Sequence, residues 1–434
     1  MRYATALVLA AVSAAGCSGG GAPSDEFRLD NGLTVLLRPV EGAGRVALVV
    51  LFGIGGDHDP QGGSGLAHLI EHLYVTAAAG KTGARTTEEF VKRYPDGWNA
   101  QTGPDHTVIA VVFPPGGIEE ELKDAAARMK DLRVTEADLR REKPRIRREL
   151  ENMFERVPRL AAMNRAREKV RPTPRGGRKG GLPERIDAMT VKMVEKRLKK
   201  YYKPSNAVLV VAGKFDRGRV ASLVEECFGP IPGGEPAPSP GRAGAPAAGG
   251  TEVVKAPRAF PETGRGAAAM AVGAPRPGEA GFAAFLVLAA RLQSRATDPG
   301  RPPAAPRVFY PVLDDPGVLY LSAPLGPEEK PEGAAARLRR FLEAATERPF
   351  DEAEAEAAKK TFGFMLGLVR LPDGVLGANL YGLAYSLGRR RQLRLVPEDL
   401  AGALDALTAE GFRRAVAGFT AEDNTAVVVV VTGG

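Results

Sequence analysis

Cysteine is nearly absent from this chain: of 434 residues, Cys17 and Cys227 alone carry a thiol. Two distant cysteines, the first inside a leader-like stretch, exclude a disulfide framework. They also disfavour a structural zinc site, which is usually closed by four cysteine-rich ligands. Cys227 lies in "ASLVEECFG" with no histidine near it, and so reads as an apolar packing residue and not a nucleophile. The apolar run at 4–12 is too short for a membrane-spanning helix, which needs about 20 residues. Charge of one sign is missing as well. The 60 Lys and Arg face 52 Asp and Glu, and through 140–148 and 165–200 the two signs interleave. With no aromatic-interleaved or glycine-rich RNA motif, the +8 balance reads as solvated helix faces and not as a nucleic-acid surface, although it could favour acidic partners or anionic membranes. A hydrophobic content of 44% over this length excludes a disordered chain and suffices for two domains, each with its own core.

Histidine is scarce too, and its placement is informative. The four are His58, His68, His72 and His106. His68 and His72 stand four apart in "HLIEH", so on a helix they present two nitrogens to one metal ion, with Glu71 beside them to act on a bound water. Zinc lowers the pKa of such a water to about 7, and a carboxylate in Glu71's place can take its proton as it attacks a carbonyl. A catalytic zinc keeps three protein ligands and one open position. The third is sought in the charged helical run 139–154, where Glu142 and Glu149 lie seven apart on one side, and Glu149 is the choice. Pro144, five residues earlier, would kink this helix if interior and could shift Glu149, or else sits in a first turn. His58 and His106 occur in polar, loop-like stretches and read as solvated or locally bonded residues, not ligands.

"HLIEH" followed by the Glu of "IRRELENM" resembles the M16 metallopeptidases, the insulinase and mitochondrial processing peptidase family. "FRLDNGLTVLLRP" is similar to the family's opening strand, "WNAQTGPDHTV" to the segment that holds an extended substrate beside the metal, and "YYKPSNAVLVVAGKFD" to the closure of the catalytic domain. The resemblance implies one Zn2+ per chain held by His68, His72 and Glu149, with Glu71 as general base. It implies that Glu142 supports a zinc ligand from behind; the residues alone allow equally an ordinary helix-surface Glu paired with a neighbouring Arg. Asn99 and the Ala100 backbone would bind substrate, where the residues alone read as a turn. The implied substrate is a peptide or unfolded protein segment. A paralogous M16 partner chain or a second copy in a homodimer is allowed, as is a non-catalytic subunit role. The family's usual Arg and Tyr from the second domain have no clear counterpart, although Arg301, Arg307 and Tyr310 are present.

The implied fold class is α+β. It has two similar domains, each a mixed, largely antiparallel sheet with helices packed on one side, facing each other across a chamber. Arg2, the apolar run and Ser13-Ala14-Ala15-Gly16-Cys17 resemble a bacterial signal peptide ending in a lipobox, with Ala14 in place of the commoner Leu. We therefore expect a leader at 1–17, a tether at 18–25 and an exported protein on the periplasmic side, anchored to the membrane through lipid on Cys17. A catalytic domain is expected over 26–230, a Pro/Gly/Ala-rich linker over 231–250 and a second domain without metal motif over 251–434. In that second domain the periodicity predicts helices at 279–296, 332–348 and 351–368 and a strand at 318–323. The halves close alike, each with an aromatic, a turn ending in Asn206 or Asn424, and a valine-rich strand, which is a weak internal repeat.

Overall fold

The structure, a computed structural model, describes residues 25–432 apart from 175–176, 179, 239, 241–248, 257–265, 298–304, 316, 327 and 370. The leader, Cys17 and nearly all of the tether lie outside the described residues.

Thirteen strands are described: β1 (Asp25–Arg28), β2 (Thr34–Pro39), β3 (Val46–Phe52), β4 (Ala78–Ala79), β5 (Trp98–Thr102), β6 (Thr107–Phe113), β7 (Leu132–Arg133), β8 (Ala207–Gly213), β9 (Thr251–Ala256), β10 (Gly266–Gly273), β11 (Arg307–Phe309), β12 (Val318–Pro324) and β13 (Thr425–Thr432). They form a sheet ordered β1-β2-β8-β3-β6-β5, a second ordered β11-β12-β10-β13-β9, and a small pair β4-β7. In both large sheets the closing strand pairs in parallel with an early one, β8 with β2 and β13 with β9, while the other neighbours are antiparallel. Read from that parallel pair outward, β2-β8-β3-β6-β5 and β9-β13-β10-β12-β11 are the same topology. The repeat glimpsed at the two closures is thus a repeat of whole sheets. Its Asn residues are equivalent in detail: the Asn206 amide donates to the Tyr201 carbonyl and the Asn424 amide to that of Phe419, each five residues back.

β3 and β8 are buried at every position, so their apolar runs do not alternate with polar residues as a half-solvated strand would. The reason is that both faces of each sheet are covered. Val46, Leu48, Val50 and Phe52 of β3 pack with the helices of their own half, while Ala47, Val49 and Leu51 meet Leu380, Leu383 and Ala384 of the helix Leu380–Leu393 from the other half. The second sheet mirrors this: Ala269, Ala271, Val428 and Val430 pack on Ala161, Ala162 and Ala166 of the helix Pro158–Val170 from the first half. Helices on one side describe each half taken by itself. The other side is closed by a helix exchanged from its neighbour, so the two halves are in direct contact through those helices.

The second-half helices at Phe282–Thr297, Pro331–Thr346 and Glu352–Leu366 fall where the periodicity placed them. Residues 232–238 form neither helix nor strand. Ile231, just before them, is buried in the first core.

Candidate metal centre

The motif residues sit on the helix Leu66–Thr76, in which all but His72 are buried. The helix starts at Gly65, with φ 96°; a Cβ there would come within 2.3 Å of Ile186 Cδ1, so glycine is required twice over. Asp59 accepts hydrogen bonds from the backbone N–H groups of Gly65 and Ala67 at 2.8 and 3.0 Å. It thereby supplies acceptors that the first helical turn otherwise lacks. Burial pushes the Asp59 carboxyl up to about 7, against the pull of those N–H groups and of Arg197.

Each imidazole is committed through Nδ1. His68 Nδ1 lies 2.8 Å from the Gly180 carbonyl oxygen, which can only accept, so this nitrogen carries the proton. His72 Nδ1 faces Glu142 Oε2 at 3.3 Å. Both Nε2 atoms are left to face Glu149, at 3.7 Å from Oε1 for His68 and 3.6 Å from Oε2 for His72. Donor atoms of the three residues all lie within 4.8 Å of one another. Ligand atoms about 2.0–2.2 Å from a tetrahedral zinc would be roughly 3.4 Å apart, so this donor set fits the ion with little adjustment.

The surroundings favour positive charge at that point. Burial alone would lower the His72 pKa, yet hydrogen bonds to Glu142 and Glu149 outweigh it and push it up to about 10. Burial opposes the Glu149 anion, and the two imidazoles outweigh that and hold its carboxyl well below the usual range. Glu142 is fully buried and bonds Arg141 Nε at 2.9 Å as well as His72. The helix-surface reading of Glu142 is therefore corrected: it pairs with an Arg, but behind a histidine and out of solvent. Pro144 is interior to its helix, Glu136–Glu151. It sits in no first turn, and Glu149 still reaches both imidazoles. A π-helical turn, Asn152–Arg156, follows directly.

Glu71 is buried beside the cluster and accepts a 2.8 Å hydrogen bond from Thr102 Oγ1. Burial raises its pKa, while the positive field of the two histidines lowers it. Thr102 ends β5, the edge strand that also carries Asn99 and Ala100; β5 pairs with β6 on one side. The Asn99 side chain is engaged, its amide donating to Tyr381 Oη at 2.5 Å.

The remaining histidines are apart from the cluster. Both are buried and locally bonded, so of the two readings the locally bonded one holds and the solvated one does not: His58 Nδ1 accepts from the Gly55 N–H, and His106, wholly enclosed, bonds Asp105. Their loops look polar in sequence but close on each other through Gly56 N–H to Gly103 O and Asp57 N–H to Pro104 O. In the second half Tyr310 is buried with its ring edge-on to Phe285 and Phe362, Arg307 is exposed on β11, and Arg301 lies outside the described residues. Cys227 is half-buried against the first core, as its apolar setting predicts. Asp59, Thr102 and Gly180 escaped the sequence reading. Of these, only Asp59 sits close enough to the motif to have been suspected as a cap.

The family model described as "Insulinase (Peptidase family M16)" matches residues 34–177, and "Peptidase M16 inactive domain" matches 188–297. The chain belongs to the M16 peptidase family. It is similar to the zinc protease PqqE of Helicobacter pylori, 26% identical over 47% of this chain and 46% of that protein. It is also similar to protease 3 of Escherichia coli, 26% identical over 48% of this chain and 22% of that protein. The chain thus spans less than half the length of these curated relatives. Among solved structures, a protease from Helicobacter pylori superposes with a TM-score of 0.78 at 20% identity, covering 94% of this chain and 99% of that one. A putative M16-like peptidase from Alicyclobacillus acidocaldarius gives 0.73 at 19% identity over 94% and 98%. At these identities the likeness is one of fold: α+β, in two domains.

Proposed function

We propose that this chain is a zinc-dependent endopeptidase acting on peptides or unstructured protein segments. The observation that carries the reading is the convergence of His68 Nε2, His72 Nε2 and a Glu149 carboxylate oxygen, with both Nδ1 atoms already engaged and Glu71 alongside. One zinc ion held there would supply an acidified water and polarise a substrate carbonyl. Glu71 would then accept a proton and return one to the departing amine, a role open to a buried carboxylate whose pKa burial raises. Thr102 holds Glu71 in place. The free side of β5, with Asn99 and the Ala100 backbone, would pair with an extended substrate as an added strand, which favours loose sequence preference.

The second reading is a partner-dependent or non-catalytic subunit of a two-chain peptidase. The match of 188–297 to an inactive-domain model favours it, as does similarity over 41% of the chain to a mitochondrial ubiquinol-cytochrome-c reductase core protein of Euglena gracilis. The complete ligand set argues the other way. From the sequence alone we take residues 26–230 and 251–434 as the two domains joined by 231–250, and the protein as an exported lipoprotein anchored through Cys17 on the periplasmic side. The test is cleavage of a quenched-fluorescence peptide pool before and after chelation and zinc re-addition. Zinc-restored cleavage supports the enzyme; stoichiometric zinc without cleavage supports the subunit.

A further inference from the structure

Apolar contacts alone would hold the helix Leu380–Leu393 on the first sheet, through Leu380, Leu383 and Ala384. The same helix nevertheless carries a polar stripe. Tyr381, Tyr385 and Arg389 are spaced by four and share one face, and each meets the β5–β6 hairpin. Tyr381 Oη receives the Asn99 amide at 2.5 Å, Tyr385 Oη lies 3.4 Å from His106 Nε2, and Arg389 Nη2 donates to Asp105 Oδ2 and Oδ1 at 2.8 and 3.1 Å. Arg389 is almost fully enclosed and also donates to the Leu313 carbonyl, tying the hairpin to a second-half loop.

A buried ion pair is a poor device for stability, because desolvation consumes much of its attraction. Its distinguishing property is direction: hydrogen bonds fix the rotation and axial position of a helix far more narrowly than aliphatic packing does. What this stripe fixes is the strand whose last residue, Thr102, holds Glu71.

We propose that Tyr381, Tyr385 and Arg389 are positioning residues, by which the second half of the chain sets the place of β5 against the metal centre and so the seating of an extended substrate. The inference rests on the peptidase reading given above. It assigns the second half a part in substrate binding through the exchanged helix.

The test uses the full chain in four forms: wild type, Tyr381→Phe, the charge-balanced double variant Arg389→Met with Asp105→Asn, and Leu383→Val, which trims the apolar contact of the same helix. Binding of a fluorescein-labelled extended peptide pool is read by anisotropy on zinc-loaded protein in a Glu71→Gln background. Cleavage kinetics are read without that change, together with zinc content and thermal midpoint. Tyr381→Phe is expected to weaken peptide binding and raise KM about five- to tenfold, the worth of one hydrogen bond. Its kcat should stay within about twofold, with zinc content unchanged. The double variant is expected to weaken binding further, and Leu383→Val to lower the thermal midpoint without changing affinity. If both stripe variants bind as tightly as wild type, or lose affinity only in step with thermal stability as Leu383→Val does, the stripe is packing and the proposal falls. Zinc-loaded protein that binds peptide in this pattern but never cleaves would overturn the peptidase reading alone. Absence of any peptide binding would overturn both.

Discussion

Replacing Glu142 with Gln should weaken zinc binding without removing any ligand. The substitution keeps the volume at a fully enclosed position and leaves one oxygen able to accept from His72 Nδ1. It takes away the negative charge, however, and turns an amide N–H2 towards Arg141, whose Nε now donates to that carboxylate at 2.9 Å. Two donors would then face each other out of water, and the surviving bond to His72 would be neutral. Removing the partner behind a metal-bound histidine typically costs 10- to 100-fold in affinity, or about 1.4–2.8 kcal/mol. Competition against a fluorescent zinc chelator at fixed pH measures this directly, with Glu149→Gln as the reference for loss of a ligand. An affinity within about twofold of wild type, alongside a large loss in Glu149→Gln, would show that Glu142 merely neutralises Arg141 and would refute the reasoning.

Because the surrounding carboxylates raise His72 to about 10, the metal-free site holds an extra proton at pH 7 that an incoming cation must displace. Zinc titration by calorimetry in buffers of differing ionisation enthalpy should therefore report release of at least one proton per ion, with apparent affinity rising from pH 6 to 9; no buffer dependence would contradict it. Asp59, raised to about 7 when folded against an ordinary 3.8, binds more protons in the native state between those values, so its contribution to stability is lost as pH rises through that window. In denaturant titrations at pH 5 and 8, Asp59→Asn should show a smaller decline than wild type, and an identical decline would remove Asp59 as the cause. Ala162 is fully enclosed between the exchanged helix Pro158–Val170 and the second sheet, so Ala162→Leu should overpack that face and destabilise by about 1–3 kcal/mol. A thermal midpoint equal to wild type would mean that the two halves part there at little cost.

Part of the candidate cluster was legible because its information is local: one helical turn places His68, Glu71 and His72 together, and the period of another aligns Glu142 with Glu149, while the meeting of those two helices was implied by the family resemblance. The class of fold followed from the family resemblance, with the valine-rich closing runs and their turns agreeing as a weak repeat. What the residues alone could not show was which distant segments meet. Nothing in "GPDHTV" announces that His106 is enclosed, because the groups that enclose it, such as Tyr385, come from the far half of the chain. Helices were expected on one side of each sheet, and the unbroken burial of β3 and β8 shows in the structure that an exchanged helix covers the other. Pro144 was read as a threat to Glu149, whereas the helix absorbs it, and the irregularity appears later, at the π-helical turn after Glu151.

The central claim is that this cluster uses zinc to cut peptides with Glu71 as the proton acceptor. Its most direct test is to measure zinc content and peptide-pool cleavage on the same preparations of wild type and Glu71→Gln. The account predicts about one zinc per chain in both, with chelator-sensitive cleavage in the wild type and its loss in the variant. Equal cleavage by the two proteins would contradict it.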